Sequence, residues 1–145
     1  MATERKASVT WQGDLMSGEG TIETVTSGVL GPLEVDWANR AEDAQGKTSP
    51  EELIAAAHAA CFAMALSNGL AKEGHAPERL ETSATVTLVP GTGITKSALT
   101  VTGRVPGLDE EGFRAAAEEA KGNCPVSSAL KGNVELELDA QLRES

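Results

Sequence analysis

Tyrosine is absent from this 145-residue chain, and two Trp and two Phe are its only aromatic residues. With four aromatics in all, a core must be built mainly from aliphatic and small side chains, which bury less area per residue. One copy of the chain is therefore expected to hold a thin core. Basic residues are scarce as well: 12 Lys and Arg against 22 Asp and Glu leave a formal charge of −10 at pH 7. A surface this negative repels phosphate at long range, which argues against nucleic-acid and anionic-membrane partners and leaves neutral small molecules open. Cysteine is nearly missing. Cys61 and Cys124 lie 63 positions apart, too few for a secreted disulfide scaffold and without the C-x-x-C spacing of a zinc or thioredoxin-like motif. The charged start, Met1 to Ser8, enters no apolar segment of the kind a signal peptide needs. The apolar run Leu53 to Leu66 falls short of the roughly 20 residues that cross a bilayer. These absences point to a cytoplasmic, reducing location and to a single domain over residues 1–145.

What is present reads as α+β with largely antiparallel pairing. Alternation marks strands at Ala7 to Trp11, Gly20 to Val25 and Val29 to Trp37, the last broken by Gly31-Pro32. A polar loop then runs from Ala38 to Ser49 and carries Arg40; about twelve residues is long enough for a connection to suggest function. Ser49-Pro50-Glu51-Glu52 is a helix start, with Ser49 as N-cap, Pro50 in the first helical position and Glu52 placed to complete a capping box. The helix is predicted to run to Gly74. Leu53 to Leu66 is apolar on every face and half alanine, so this helix is expected to be buried all round.

A hairpin from Leu80 to Val105 turns at Pro90 to Gly93, and a second helix opens at Asp109 and closes near Gly122. Cys124-Pro125 begins a short third helix, and Val134 to Leu142 alternates as a final strand. A first long helix of about 24 residues spans about 36 Å, more than one small domain surrounds. A second copy packing its own alanine-rich helix against it resolves the mismatch, so a homodimer is expected.

Chemistry centres on few residues. Cys61 in the apolar helix is either an inert core cysteine or, with His58 three positions earlier, half of a Cys-His hydrolase or acyltransferase pair. Cys124 precedes proline at a helix start, where backbone N–H groups favour a thiolate. The two sulfurs could also serve as an attacking and a resolving thiol. A guanidinium such as that of Arg40 next to Cys61 stabilises a thiolate and donates to peroxide oxygen, and Glu51 is suited to orient it. Glu51 stands ten residues before Cys61, about 15 Å along the axis; two antiparallel helices from two copies would bring Glu51 of one towards Cys61 of the other. His75 has no ligand spacing, and Gly91-Thr92-Gly93 lacks the rest of a phosphate loop.

Ser49-Pro-Glu-Glu-Leu-Ile-Ala-Ala-Ala-His-Ala-Ala-Cys-Phe-Ala-Met-Ala-Leu-Ser67 resembles the central helix of the OsmC/Ohr superfamily, and Ala120-Lys-Gly-Asn-Cys-Pro-Val-Ser-Ser-Ala-Leu130 is similar to its second cysteine motif. Trp11 to Asp14, Ser27 to Leu30, Asn39-Arg40 and Val105 to Leu108 extend the likeness over nearly the whole chain, on the OsmC branch. The resemblance implies an intertwined homodimer with two long buried central helices wrapped by antiparallel sheets. It implies a thiol-dependent peroxidase that reduces organic hydroperoxides without a bound cofactor or metal. Cys61 would be the peroxidatic thiolate, Cys124 the resolving cysteine, Arg40 the activating guanidinium and Glu51 its orienting carboxylate. An external dithiol, lipoyl-linked in related proteins, would reduce the disulfide. A non-catalytic stress-response binding protein is the remaining alternative.

Overall fold

A computed structural model describes residues 2–143. The elements are β1 (Ala7–Gln12), β2 (Glu19–Val25), β3 (Leu33–Val35), α1 (Trp37–Ala41), α2 (Pro50–Lys72), β4 (Arg79–Val89), β5 (Gly93–Arg104), α3 (Glu110–Asn123), α4 (Pro125–Leu130) and β6 (Glu135–Leu142). They divide into two compact units, the first ending at Leu53 and the second beginning at Ile54.

The first unit is an antiparallel sheet of order β1-β2-β3. Its third strand is shorter than the expected Val29 to Trp37. The chain leaves β3 after Val35, and Asp36 caps a helical turn by accepting from the Asn39 N–H at 2.8 Å. A short polar side chain in extended conformation ahead of Trp37 supplies an acceptor for an orphan N–H of the helix start, so Arg40 sits on α1 instead of in a loop.

The second unit holds a three-stranded sheet of order β4-β5-β6. β4 and β5 form the expected hairpin, and β6 pairs with β5 in parallel, Leu99 opposite Leu138. A parallel pair needs a crossover, which α3 and α4 provide. Asp109 caps α3 through the Gly112 N–H at 2.8 Å. Inward residues of β5, Leu99 and Val101, meet Phe62, Leu66 and Leu70 of α2 and Phe113 and Ala117 of α3 in one buried cluster. Gly103 is required there: a Cβ on it would stand 2.5 Å from the Phe113 ring.

On α2, Ser49 Oγ accepts from the Glu52 N–H at 3.1 Å as the capping pattern requires. The Glu52 carboxylate instead accepts from Thr48 Oγ1 at 2.8 Å. The helix ends at Lys72, two residues early, because Gly74 takes a left-handed φ of 85° and His75 N–H returns to Leu70 O at 2.9 Å. Within one chain α2 is buried along a single stripe, His58, Phe62, Leu66 and Leu70, four residues apart. Burial all round is not realised in one copy: Ala57, Ala60 and Asn68 are exposed and Met64 is 71% exposed. The whole helix, 23 residues with a mean hydropathy of 1.5 over its best window, is long and apolar enough by composition to cross a membrane. A buried, doubly hydrogen-bonded His58 at its centre is instead what a core helix carries.

Candidate active site

Cys61 projects from the middle of α2, one turn after His58, and is half-buried. Cys124 stands at the junction of α3 and α4, closing one through its N–H to Ala120 O at 2.9 Å and heading the other before Pro125. It is fully buried in the core cluster, against which Cys61 also packs. Each thiol perturbs the titration of the other, and the Val126 N–H acts on both.

Burial and the neighbouring Cys124 thiol push the Cys61 pKa up, the Val126 N–H offsetting only part of this. Burial also acts to raise Cys124, but the Cys61 thiol, the Ser127 N–H and hydroxyl, and the Val126 N–H together bring it below its ordinary value. None of the groups that perturb Cys61 is a cation. Neither sulfur is in a disulfide.

His58 is not paired with Cys61. Its Nδ1 meets Ser97 Oγ at 2.6 Å and its Nε2 meets Ser127 Oγ at 2.8 Å, so both ring nitrogens are engaged. The Cys-His arrangement of a thiol hydrolase is absent, because two residues three apart on one helix both point outward and the imidazole is taken by β5 and α4. Burial lowers the His58 pKa and keeps the ring neutral. Sequence reasoning missed Ser97 and Ser127. Ser127 carried a signal, lying three residues after Cys124 in the first turn of a helix; Ser97 carried none beyond an inward position on an alternating strand.

In the first unit, Arg40 and Glu51 form a forked pair. Arg40 Nε donates to Glu51 Oε1 at 3.0 Å and Oε2 at 3.2 Å, and Nη2 donates to Oε2 at 2.8 Å. Glu51 is 7% exposed, while the Arg40 side chain is 32% exposed. The bond to Glu51 raises the Arg40 pKa further, against burial. A bidentate pair of this kind fixes the plane of the guanidinium, and Nη1 takes no part in it. The Trp37 ring lies 6.0 Å from the guanidinium carbon. Asp36, held by Asn39 and Lys47, anchors α1 beneath them, and its pKa is lowered to about 2 by the Asn39 side chain, the Asn39 N–H and Lys47.

The structure thus brings Cys61 together with Cys124, and Arg40 together with Glu51, each pair inside its own unit. Among the described residues no group of three or more His, Cys, Asp or Glu is placed to hold a metal. A cavity of about 640 Å³ lined by Glu78, Arg104, Leu108 and Arg143 includes none of the four candidates.

Comparison with known proteins gives a consistent picture. The model of the family described as OsmC-like protein matches residues 42–139. The chain is 44% identical over 146 residues to peroxiredoxin OsmC of Escherichia coli, covering 99% of each. It is 33% identical to organic hydroperoxide resistance protein OhrB of Bacillus subtilis, over 80% of this chain and 85% of that one. The crystal structure of that OhrB superposes with a TM-score of 0.69, covering 94% of this chain and 98% of the other at 29% identity.

Proposed function

The chain belongs to the OsmC-like family, and from that premise we propose that it is a thiol-dependent peroxidase reducing organic hydroperoxides to alcohols in oxidative and osmotic stress defence. The observation that carries this reading is the placement of two free thiols side by side, Cys61 half-buried and Cys124 buried behind it. The accessible sulfur suits attack on a peroxide, and the sheltered one suits resolution. The names of the relatives, a peroxiredoxin and organic hydroperoxide resistance proteins, support the same chemistry.

The Cys61 thiolate attacks the terminal oxygen of the hydroperoxide. The O–O bond breaks, and the alkoxide leaves and takes a proton to become the alcohol. The Cys124 thiolate then attacks the Cys61 sulfenic acid: the S–S bond forms, S–O breaks, and the departing hydroxide becomes water. An external dithiol, lipoyl-linked in related proteins, returns two electrons by exchange and is itself oxidised to a disulfide. No bound cofactor or metal enters, and the reaction suits the reducing cytoplasm.

Cys61 needs a cation, since burial holds its thiol above the ordinary value and nothing in its own unit opposes that with positive charge. Arg40, held in one plane by Glu51, is the group suited to stabilise the thiolate and to donate to the peroxide oxygens. We assign this arrangement to a homodimer in which residues 1–145 act as a single OsmC-like domain and the Arg40–Glu51 pair of one copy serves Cys61 of the other. The exposed apolar stripe of α2, Ala57, Ala60 and Met64, supports a second copy of that helix as its cover. The test is steady-state consumption of cumene hydroperoxide with a dithiol reductant. Wild type is expected to turn over and Cys61→Ser to lose all turnover; undiminished activity in Cys61→Ser would overturn the reading.

A further inference from the structure

The peroxidase reading uses neither His58 nor the serines that hold it, yet these are the most deeply buried polar side chains of the second unit: His58 and Ser97 are 0% exposed and Ser127 is 2% exposed. Burying an imidazole and two hydroxyls costs free energy unless each is hydrogen-bonded. Three apolar side chains of the same shape would fill the space without that requirement. The contacts form a line from β5 through α2 to α4: Ser97 Oγ to His58 Nδ1 at 2.6 Å, and His58 Nε2 to Ser127 Oγ at 2.8 Å. Ser127 is the third residue of the helix that Cys124 caps, so the line ends in the first turn of α4 beside Cys124, and its hydroxyl acts to lower the Cys124 pKa.

A neutral imidazole has one N–H and one lone pair, so the line has a direction. When Cys124 is a thiolate its sulfur only accepts. Ser127 O–H then donates to sulfur, Ser127 Oγ accepts from His58 Nε2–H, and His58 Nδ1 accepts from Ser97 O–H. Every donor points towards the negative charge, and each bond polarises the next. When Cys124 is a thiol the line reverses, with the weak S–H donor at its head and the proton on Nδ1. Histidine serves both directions by changing tautomer.

We infer that Ser97, His58 and Ser127 form a buried hydrogen-bond chain that stabilises the Cys124 thiolate for its attack on oxidised Cys61, His58 acting as a positioning residue through Ser127. The inference rests on the peroxidase reading and adds a device for its second step. The lowered pKa of Cys124 agrees with it. Among the largest influences on Cys124 the titratable group is Cys61, and burial is the cause that lowers His58. Lys96 of β5 and Glu135, Glu137 and Asp139 of β6 alternate with the inward residues Ser97, Leu136 and Leu138 and so lie on the other sheet face. On α3, Glu118 pairs with Lys121; on α2, Glu51 is held by Arg40.

The test titrates Cys124 by the ultraviolet absorbance of its thiolate in a Cys61→Ser background, where it is the only thiol. Ser127→Ala and His58→Leu are each expected to raise the midpoint by about one pH unit, a tenfold loss of thiolate near neutrality. His58→Gln, whose amide can donate to Ser127 and accept from Ser97, is expected to recover part of the shift. In the two-cysteine protein, one equivalent of cumene hydroperoxide followed by dimedone trapping should show Cys61 sulfenic acid accumulating as disulfide formation slows about threefold in Ser127→Ala, the tenfold thiolate loss being partly offset by the greater nucleophilicity of a more basic thiolate. Ser127→Ala removes one oxygen from a short helix and keeps the test decisive if His58→Leu fails to fold. A midpoint unmoved in folded Ser127→Ala overturns the inference, even where wild type forms its disulfide and the peroxidase reading stands. A moved midpoint in a protein whose wild type forms neither sulfenic acid nor disulfide upholds the chain and overturns the reading.

Discussion

The two units of this molecule are built on very unequal cores. In the second, Phe62, Leu66, Leu70, Leu99, Val101 and Phe113 are almost fully buried around Cys124. In the first, Ile22 is the one buried hydrophobic residue among those described, while Val9, Trp11, Leu15, Met16, Val29 and Leu30 are exposed. A three-stranded sheet with one buried side chain and a three-residue third strand is marginal by itself. Exposed apolar side chains at this density mark a surface that is covered in use. The two thiols assigned above to the redox step therefore sit in the unit that holds itself together, and the Arg40–Glu51 pair sits in the unit that needs cover, which is what the homodimer proposed above supplies.

Truncation should expose the contrast most sharply. Phe113→Ala removes the ring that fills the space over Gly103 and is expected to cost about 3–5 kcal/mol, whereas Ile22→Ala is expected to cost about 2 kcal/mol, the low end for an aliphatic truncation. Urea unfolding of both variants checks this, and equal losses would break the distinction between the units. Next in size is Arg40→Ala, expected to lower kcat/KM for an organic hydroperoxide about a hundredfold, as removal of one charge-stabilising donor does, with a lowered urea midpoint as well because the buried Glu51 carboxylate loses its partner. An unchanged kcat/KM would detach the first unit from the chemistry.

The smallest effect concerns Asp36. Its folded pKa lies near 2 against an ordinary 3.8. A depressed carboxylate contributes stability that is fully present above the unfolded value and fades as pH falls through the folded one. Local protection of α1 amides should therefore decline between about pH 4 and pH 2. Asp36→Asn should flatten that decline, and hydrogen exchange across this window reads it directly; a decline that persists in the variant would assign it to another group.

Much of this was legible in the sequence because it is local. Ser49 and Asp109 announced their helices through a side-chain oxygen before an acidic first turn, and both accept the N–H that the pattern requires. Alternation located β1, β2, β4, β5 and β6. Other features were not legible, for physical reasons. α1 was hidden because Trp37 reads as a strand residue until Asp36 is seen to cap it. The parallel register of β6 on β5 is a long-range choice made by the α3–α4 crossover. Part of the helix burial expected from composition belongs to a face that one chain leaves open at Met64. At the site, Cys61, Cys124, Arg40 and Glu51 could be picked by chemistry and resemblance, and each now has a partner in the structure. The partners of His58 could not be picked, since nothing in a serine on an interior strand announces that a histidine 39 positions away will find it.

The account stands on Cys61 and Cys124 as one redox couple. The most direct measurement is peptide mass spectrometry of the reduced protein after one equivalent of an organic hydroperoxide under non-reducing digestion. The account predicts a Cys61-containing peptide joined to a Cys124-containing peptide within the same chain, with both thiols consumed together. Cys61 oxidised to sulfinic acid beside a free Cys124, or both thiols left intact, would contradict it.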